Sequence, residues 1–484
     1  MSKTFYFYDL ETSGLNPREA RIMQFGGQRT DMNLKPIGRA QSVLIRMTND
    51  HLPDPSSVLV TGITPQKTIA NGITEADFLK MFYEEIALPD TIFCGYNSVR
   101  FDDEFIRYLH YRNFYDPYEW HYKDGRSRWD LLDVVRMTRA LRPDGFNWPQ
   151  DKTGKAVNNL ELLTSVNKIK HNNAHDALSD TLALIAIAKK LKTMHPKLFD
   201  YLLRMRDKKK VAKLVDGGQP FTYTSGKYQS EYEKTTIAVK IASHPNRSGA
   251  LVYDLRYDPK PFIKMDTPEI VDCWVWRPKP GEENNAKAQI QFPVKSLLFN
   301  RCPAVAPISV LDEDSQKRLQ IEVARAKDNL KKLTGQKQFV SNVIKALGEL
   351  DKRRQESQKA TIQSVDAKLY EGFFSDEDHA LMKTIHKKTT ASLASVQFEM
   401  FKDKRLQALW VPYLARNFPS VLSSTQLADW EKYRTKYLMD GPDSRLTVYF
   451  NKIAEMRANP PLDKSKQSLL EDLQLYGESL LPAV

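Results

Sequence analysis

Two carboxylates two residues apart, Asp9 and Glu11, stand at the end of the first β-prone stretch, Thr4–Tyr8. Side chains two apart on a strand point to the same side, so this pair can converge on one cation. A further acid, Asp102, closes the run Gly95-Tyr96-Asn97-Ser98-Val99-Arg100-Phe101-Asp102, which follows an apolar stretch and opens a helical one. From the first turn of a helix its carboxylate can project toward the preceding strands. His175 and Asp180 lie in Asn173-Ala174-His175-Asp176-Ala177-Leu178-Ser179-Asp180, where a long helical pattern begins. Acids gathered in this way offer hard oxygen ligands to a divalent ion, and a neighbouring histidine offers a group that exchanges protons near neutral pH. Taken singly, each piece also reads as a solvated strand end, a first-turn helix acid or a surface histidine. Asp102-Asp103-Glu104, a second D-x-E, shows how little one such pair means. The weight lies in the order of the pieces along one chain.

Positioning these groups takes strands and helices in sequence, and the patterning supplies them. Thr4–Tyr8, Met23–Thr30 and Gln41–Met47 read as strands of a meander, and Thr91–Tyr96 as a buried strand. Glu75–Ile86, Asp102–Tyr111, Leu131–Leu141 and Asp176–Met194 have helical spacing, the third ending at Arg142-Pro143. Strands first, then strands alternating with helices, predict an α/β domain over residues 1–195. After His195-Pro196 the segments Phe221–Thr224, Thr235–Ile241, Ala250–Tyr257, Cys273–Trp276 and Phe292–Leu298 are short and β-rich, separated by Pro, Gly and Asn. They predict a small β-barrel or sandwich within 196–350. From Gln316 onward the pattern turns helical; Asp351–Lys359 reads as a polar linker or solvated helix, and 351–484 as a helical domain.

Composition narrows the class. A chain of 484 residues with 41% hydrophobic content builds more than one core, which excludes a wholly disordered protein. The longest apolar run, Leu182–Ala188, is far short of the roughly 18 residues that cross a bilayer. Asp9 interrupts Phe5–Tyr8 before it could act as a secretion signal. Cys94, Cys273 and Cys302 are far apart and in no C-x-x-C spacing, which argues against a disulfide framework or a thiolate zinc site. The expectation is a cytoplasmic protein without a membrane span. Lys plus Arg total 72 and Asp plus Glu 60, a net +12. Residues 201–350 hold 26 − 17 = +9 of it, against 26 − 25 = +1 for 1–200 and 20 − 18 = +2 for 351–484. A basic middle third points to an anionic partner.

Together, the D-x-E on the first strand, the Phe101-Asp102 at a later strand–helix junction and the H-x4-D opening a long helix resemble the DEDDh family of 3′→5′ exonucleases, which share a ribonuclease H-like fold. The resemblance narrows to the bacterial exonuclease I family through Gly95–Glu104, Tyr111-Arg112-Asn113-Phe114-Tyr115-Asp116-Pro117-Tyr118 and Ser127-Arg128-Trp129-Asp130-Leu131-Leu132-Asp133. Ala140-Leu141-Arg142-Pro143, Pro293-Val294-Lys295 and Leu369-Tyr370-Glu371-Gly372-Phe373-Phe374-Ser375-Asp376 extend it over nearly the whole chain. It implies a ribonuclease H-like exonuclease domain, an SH3-like β domain and a helical C-terminal domain.

The implied activity is 3′→5′ degradation of single-stranded DNA to 5′-mononucleotides, with a part in DNA repair. Two Mg²⁺ ions, with Mn²⁺ as a possible substitute, would be held by Asp9, Glu11, Asp102 and Asp180. Four carboxylates with no nearby cysteine suit these ions better than zinc. By resemblance Asp9 bridges both ions, Glu11 and Asp180 hold the one that activates water, Asp102 serves the leaving-group ion, and His175 is the general base. The terminal nucleotide would meet Leu10, Glu11 and Thr12, and also Asn159, which stands where relatives tend to have Arg. Arg107, Tyr118, Tyr122, Arg136, Lys208, Lys295 and Tyr370 are expected along the strand. Trp120 and Arg128 belong to the same interleaving of rings and guanidinium groups, with Lys208 in the basic cluster from Arg204 to Lys210. Arg142 and Tyr201 match a pocket by which relatives bind the acidic tail of single-stranded DNA-binding protein, although Pro307 and Asp312 depart from its usual polar or basic groups. A monomer is expected. An RNA-trimming exonuclease of the same fold is the alternative enzyme, but such enzymes are single small domains. A catalytically inactive DNA-binding scaffold is the other alternative, and it would be expected to lack at least one of these five positions.

Overall fold

The structure is a computed structural model that describes residues 3–171, 175–275, 292–361, 364–458 and 463–481. Asn173, Ala174 and Trp276, named above, lie outside the described residues. The chain divides into two compact units, one of Met1–Arg128, Lys170–Ile185 and Gln363–Val484, the other of Trp129–Ile169 and Ala186–Ile362.

The first unit is built on β1 (Thr4–Thr12), β2 (Ile22–Thr30), β3 (Pro36–Leu44) and β4 (Thr91–Gly95) of a mixed sheet ordered β3-β2-β1-β4-β5, whose last strand β5 (Ser127–Asp130) begins in this unit. β1 runs antiparallel to β2 and parallel to β4. Phe5, Tyr6, Phe7 and Tyr8 are all buried, as a central strand covered on both faces requires. Tyr6, Tyr8, Phe25, Phe78, Phe82, Phe93 and Trp120 form one aromatic-rich core. The helix Asp102–Arg112 starts with Asp102, Asp103 and Glu104 in its first turn, where the helix dipole favours acids. The expected helix over 75–86 is a helix at Glu75–Met81 that continues as a π-turn over Phe82–Ile86.

The C-terminal helices of this unit share its core rather than sitting outside it. Tyr108, Tyr111 and Phe114 pack with Leu369, Leu406, Leu409, Trp410 and Leu414. Met23 of β2 packs with Leu438, Tyr476 and Leu480. A buried ion network crosses the same seam. Arg416 donates to Asp50 Oδ2 at 2.6 Å and to Asp366 at 2.8 and 3.0 Å, and Arg21 pairs with Asp366 at 2.6 Å.

The second unit carries an antiparallel sheet of β6 (Phe221–Thr224), β7 (Thr235–Ser243), β8 (Gly249–Asp254), β9 (Val294–Leu298) and β10 (Ala304–Pro307), ordered β10-β6-β7-β8-β9. The expected strand at Cys273–Trp276 is instead the end of a helix, Thr267–Val275. Asp266 and Glu269 cap its start reciprocally, each side chain accepting from the other's backbone N–H. Ile270, Val271 and Cys273 then face inward at helical spacing. The polar stretch at 351–359 belongs to one long helix, Lys337–Thr361. The expected succession of an α/β sheet, a small β sheet and a helical C-terminal region is the one observed.

Candidate active site

Asp9 and Glu11 lie within β1, which extends through Thr12, so the chemistry-bearing pair stands on the central strand itself. In the antiparallel register Asp9 faces Gly26 and Glu11 faces Gln24. Directly opposed residues share a face, so these four line one side of the sheet. The helix Ala177–Met194 is laid across that side. A Cβ on Gly26 would overlap the carbonyl carbon of Ala177, so strand and helix meet backbone to backbone. The Thr181 hydroxyl donates to the Gly26 carbonyl at 3.2 Å. Asp180, one turn into the helix, is thereby brought to the strand: ligand oxygens of Asp9, Glu11 and Asp180 all lie within 4.8 Å of one another.

Asp102 arrives from the other side of β1. β4 pairs in parallel with β1, Cys94 opposite Phe7, and the chain turns through Asn97 at φ 65° before the helix opens at Asp102. Asp102 is buried. Its neighbour Asp103 accepts from the Tyr8 hydroxyl and pairs with Arg128, which ties the helix start to β1.

Electrostatics in this corner are dominated by crowded acids. Burial pushes Asp9 well above the usual carboxylate range, and Asp102, Asp180, Glu11 and Asp176 push it further. Glu11 is pushed up to about 8 by burial, with Asp180 and Asp176 adding to it. Burial also raises Asp180, against hydrogen bonding from His171. Such a group cannot stay ionised together near neutral pH unless a cation offsets it. Its donors are all hard oxygens, so the residues fit a divalent ion.

His175 is exposed at φ 67°, on a left-handed turn leading into the helix, and its backbone N–H bonds the Asp180 carboxylate. His171 Nε2 bonds the same carboxylate. His171 and Asp176 stand in the same run as His175 and Asp180, outside the H-x4-D spacing that marks those two. Asp176 caps the helix, accepting from the Ser179 N–H at 3.0 Å.

The other expected contacts fall into separate groups. Leu10 and Thr12 are buried, and the Thr12 hydroxyl donates to the Gly14 carbonyl at 2.9 Å. Arg107 pairs with Glu104 at 2.6 Å and stacks over Tyr118 at 5.5 Å, and Tyr370 donates to the same Glu104. Arg107, Tyr118 and Tyr370 are thus one cluster, while Tyr122 is exposed. Trp120 and Arg128 do not interleave with them. Trp120 is fully buried in the aromatic core, and Arg128 is buried against Asp103. In the second unit Arg136 pairs with Asp133 at 2.7 Å. Lys208 is exposed at the start of the helix Lys208–Val215, and Lys295 on β9 donates to the Phe292 carbonyl at 3.3 Å. Asn159 caps the helix Leu160–Val166, accepting from the Leu162 N–H at 3.0 Å. Arg142 pairs with Asp312 at 3.1 Å, and the Tyr201 hydroxyl donates to the Val305 carbonyl at 3.2 Å.

Known proteins match the chain over its length. Residues 6–188 match a family model described as exonuclease, 206–349 the exonuclease I SH3-like domain and 363–480 the exonuclease I C-terminal domain. Exodeoxyribonuclease I of Escherichia coli (strain K12) is 37% identical over 485 residues, 99% of this chain and 98% of the relative. The crystal structure of E. coli exonuclease I in complex with a dA16 oligonucleotide superposes with a TM-score of 0.90 at 36% identity, covering 99% of this chain and 100% of that one. A zinc-bound form of the E. coli exonuclease I complex with single-stranded DNA gives the same TM-score, identity and coverage. No helix among the described residues is long and apolar enough to cross a membrane.

Proposed function

The chain belongs to the exonuclease I family, and from that premise we propose that it hydrolyses single-stranded DNA from the 3′ end, releasing 5′-mononucleotides. The observation that carries this reading is the meeting of Asp9, Glu11 and Asp180 oxygens within 4.8 Å, with Asp102 beside Asp9, in a chain alike to exodeoxyribonuclease I over 99% of its length.

Asp9, Glu11, Asp180 and Asp102 hold the divalent ions, Mg²⁺ in the cell with Mn²⁺ as a substitute. Bound there, such ions activate water, neutralise charge at the phosphorus and stabilise the leaving oxygen. The Asp9 carboxylate is acted on by Asp102 as well as by Glu11 and Asp180, so Asp9 would serve both ions. His175 takes the proton of the attacking water on a ring nitrogen, and His171 Nε2 keeps the Asp180 carboxylate in place. Leu10 and Thr12 wall the 3′-terminal nucleotide, and Asn159 is a separate contact to substrate. Arg107, Tyr118, Tyr122 and Tyr370, and separately Arg136, Lys208 and Lys295, contact the rest of the strand. In this reading 1–195 is the part that cuts, and 196–350 and 351–484 hold DNA, the last while also sharing a core with the first. Arg142 and Tyr201 receive the acidic tail of single-stranded DNA-binding protein; the pairing of Arg142 with Asp312 means that the tail must displace a carboxylate. The protein acts as a cytoplasmic monomer.

Incubating 5′-labelled single-stranded DNA, duplex DNA and RNA with Mg²⁺ tests the reading. A ladder shortening from the 3′ end on single-stranded DNA alone is expected. Equal attack on RNA would favour an RNA-trimming enzyme, and no attack on any substrate would favour a binding scaffold.

A further inference from the structure

We propose that Gln24 is a positioning residue that sets Asp180 against Asp9 and Glu11; the inference rests on reading those acids as the cation-binding set. Gln24 is a buried polar residue whose amide is fully used. Its Nε2 donates to Asp176 Oδ2 at 2.8 Å and to the Ser42 hydroxyl at 3.1 Å, and its Oε1 accepts from the Ala177 N–H at 3.2 Å. One side chain therefore ties β2 and β3 to the first turn of the helix Ala177–Met194. It does so from the position opposite Glu11 on the sheet face that carries the acids.

The arrangement needs such a tie. The helix brings Asp176 and Asp180 toward Asp9 and Glu11, and every one of these charges raises the cost of its approach. Contact at Gly26, with the Thr181 hydroxyl on its carbonyl, sets how close the helix comes, but it holds the helix at one point and leaves it free to turn about that point. The amide of Gln24 grips the first turn at two points, Asp176 and the Ala177 N–H, and so fixes which way Asp180 faces. An amide suits a position that faces a carboxylate at 176: it donates to that carboxylate and accepts from a backbone N–H at once. Asn would be one methylene too short.

The test uses the full chain and four proteins: wild type, Gln24→Leu, Gln24→Glu and the double variant Gln24→Glu with Asp176→Asn. The double variant keeps the net charge and rebuilds the contact in reverse. Its carboxylate at position 24 accepts from the amide introduced at position 176, from the Ala177 N–H and from the Ser42 hydroxyl. Mn²⁺ is titrated calorimetrically into each protein, kcat and KM are measured on single-stranded DNA, and thermal melting checks folding. Supporting groups around metal ligands typically matter by about 10–100-fold. Gln24→Leu and Gln24→Glu are therefore expected to weaken Mn²⁺ binding and lower kcat by about that factor with KM within about twofold, and the double variant to return to within about threefold of wild type. Wild-type Mn²⁺ affinity and kcat in Gln24→Leu would overturn the proposal, as would a double variant no better than Gln24→Glu. If Gln24→Leu does not fold, the comparison of Gln24→Glu with the double variant decides. Failure of the wild type to bind Mn²⁺ would sink the cation reading itself, a result distinct from either.

Discussion

A carboxylate pressed among four others is stable only while something offsets its charge. Asp9 is in that position, with Asp102, Asp180, Glu11 and Asp176 all raising its pKa. Asp9→Asn is expected to abolish hydrolysis, by at least about a hundredfold, since even outer partners of metal ligands cost about 10–100-fold. In EDTA the same variant is expected to melt higher than wild type, by about 2 °C, because one source of repulsion is gone. A lower melting point in EDTA would show that Asp9 is held by stabilising contacts instead. A second residue sets a pH dependence unrelated to the acids. His110 is fully buried among Phe82, Tyr83, Tyr115 and Trp120, donates from Nδ1 to the Ile106 carbonyl at 2.7 Å, and is pushed down to about 3 by burial. In the unfolded chain it titrates near about 6.5, so the unfolded state takes up a proton that the folded state refuses. Stability is full above that value and is lost as the pH falls from about 6.5 toward 3, at a rate approaching about 1.4 kcal/mol per pH unit for one proton. In His110→Phe the slope of urea stability against pH between about 6.5 and 4 is expected to shrink by up to that amount; an unchanged slope would exclude His110 as its source. The acids are legible in sequence because their type is rare in strands and their spacing is local. Gln24 is not, since a neutral amide in a strand carries no signal until its partners at the helix start, 152 and 153 positions away, are known.

At the scale of elements, the site depends on how closely one helix meets one strand. Gly26 is the contact point, and any side chain there would collide with the backbone of Ala177 and Leu178. Gly26→Ala is expected to push the helix Ala177–Met194 off β2 and to cost about 1–3 kcal/mol of stability, as overpacking usually does. It also carries Asp180 away from Asp9 and Glu11, so calorimetric Mn²⁺ affinity should fall with it. A variant that loses stability but binds Mn²⁺ as wild type does would separate helix docking from site assembly. The strands and helices around this contact are largely legible, because hydrophobic spacing reports which faces are buried. Where the sequence misleads, the deciding information is of another kind. Cys273–Trp276 looks like a strand from its apolar side chains, whereas the Asp266–Glu269 capping pair upstream commits Thr267–Val275 to a helix. β3 ends at Leu44 rather than Met47 because its length follows pairing with β2, which sequence spacing does not report. The strand Ala304–Pro307 escapes sequence reading for the same reason: four residues, ending in Pro, are recognisable only beside β6.

At the scale of the molecule, β2 joins two jobs. Gln24 and Gly26 face the acids, while Met23 and Phe25, on the other face, are built into cores, Met23 with C-terminal helices and Phe25 with the aromatic cluster. The C-terminal helices therefore support the strand that indexes the site, and they also hold the ion network in which Arg416 bridges Asp50 and Asp366. That network joins residues more than 300 positions apart, so no local motif announces it. Ending the chain at residue 361 would remove the C-terminal neighbours of Met23, Val58, Tyr111 and Phe114 and leave Arg21 and Asp50 without Asp366 and Arg416. The truncated chain is expected to lose cooperative unfolding and nuclease activity together, which is not what a separable DNA-holding attachment would do. Arg416→Met is the graded form of the same test. It leaves Asp50 and Asp366 facing each other without their shared cation, a loss of about 3–5 kcal/mol for a buried pair broken on one side. Adding Asp50→Asn removes one of the stranded charges and is expected to recover part of that loss in urea unfolding. A chain ending at 361 that melts and cleaves like the full protein, or an Arg416→Met variant of unchanged stability, would show that the C-terminal helices are dispensable to the nuclease unit.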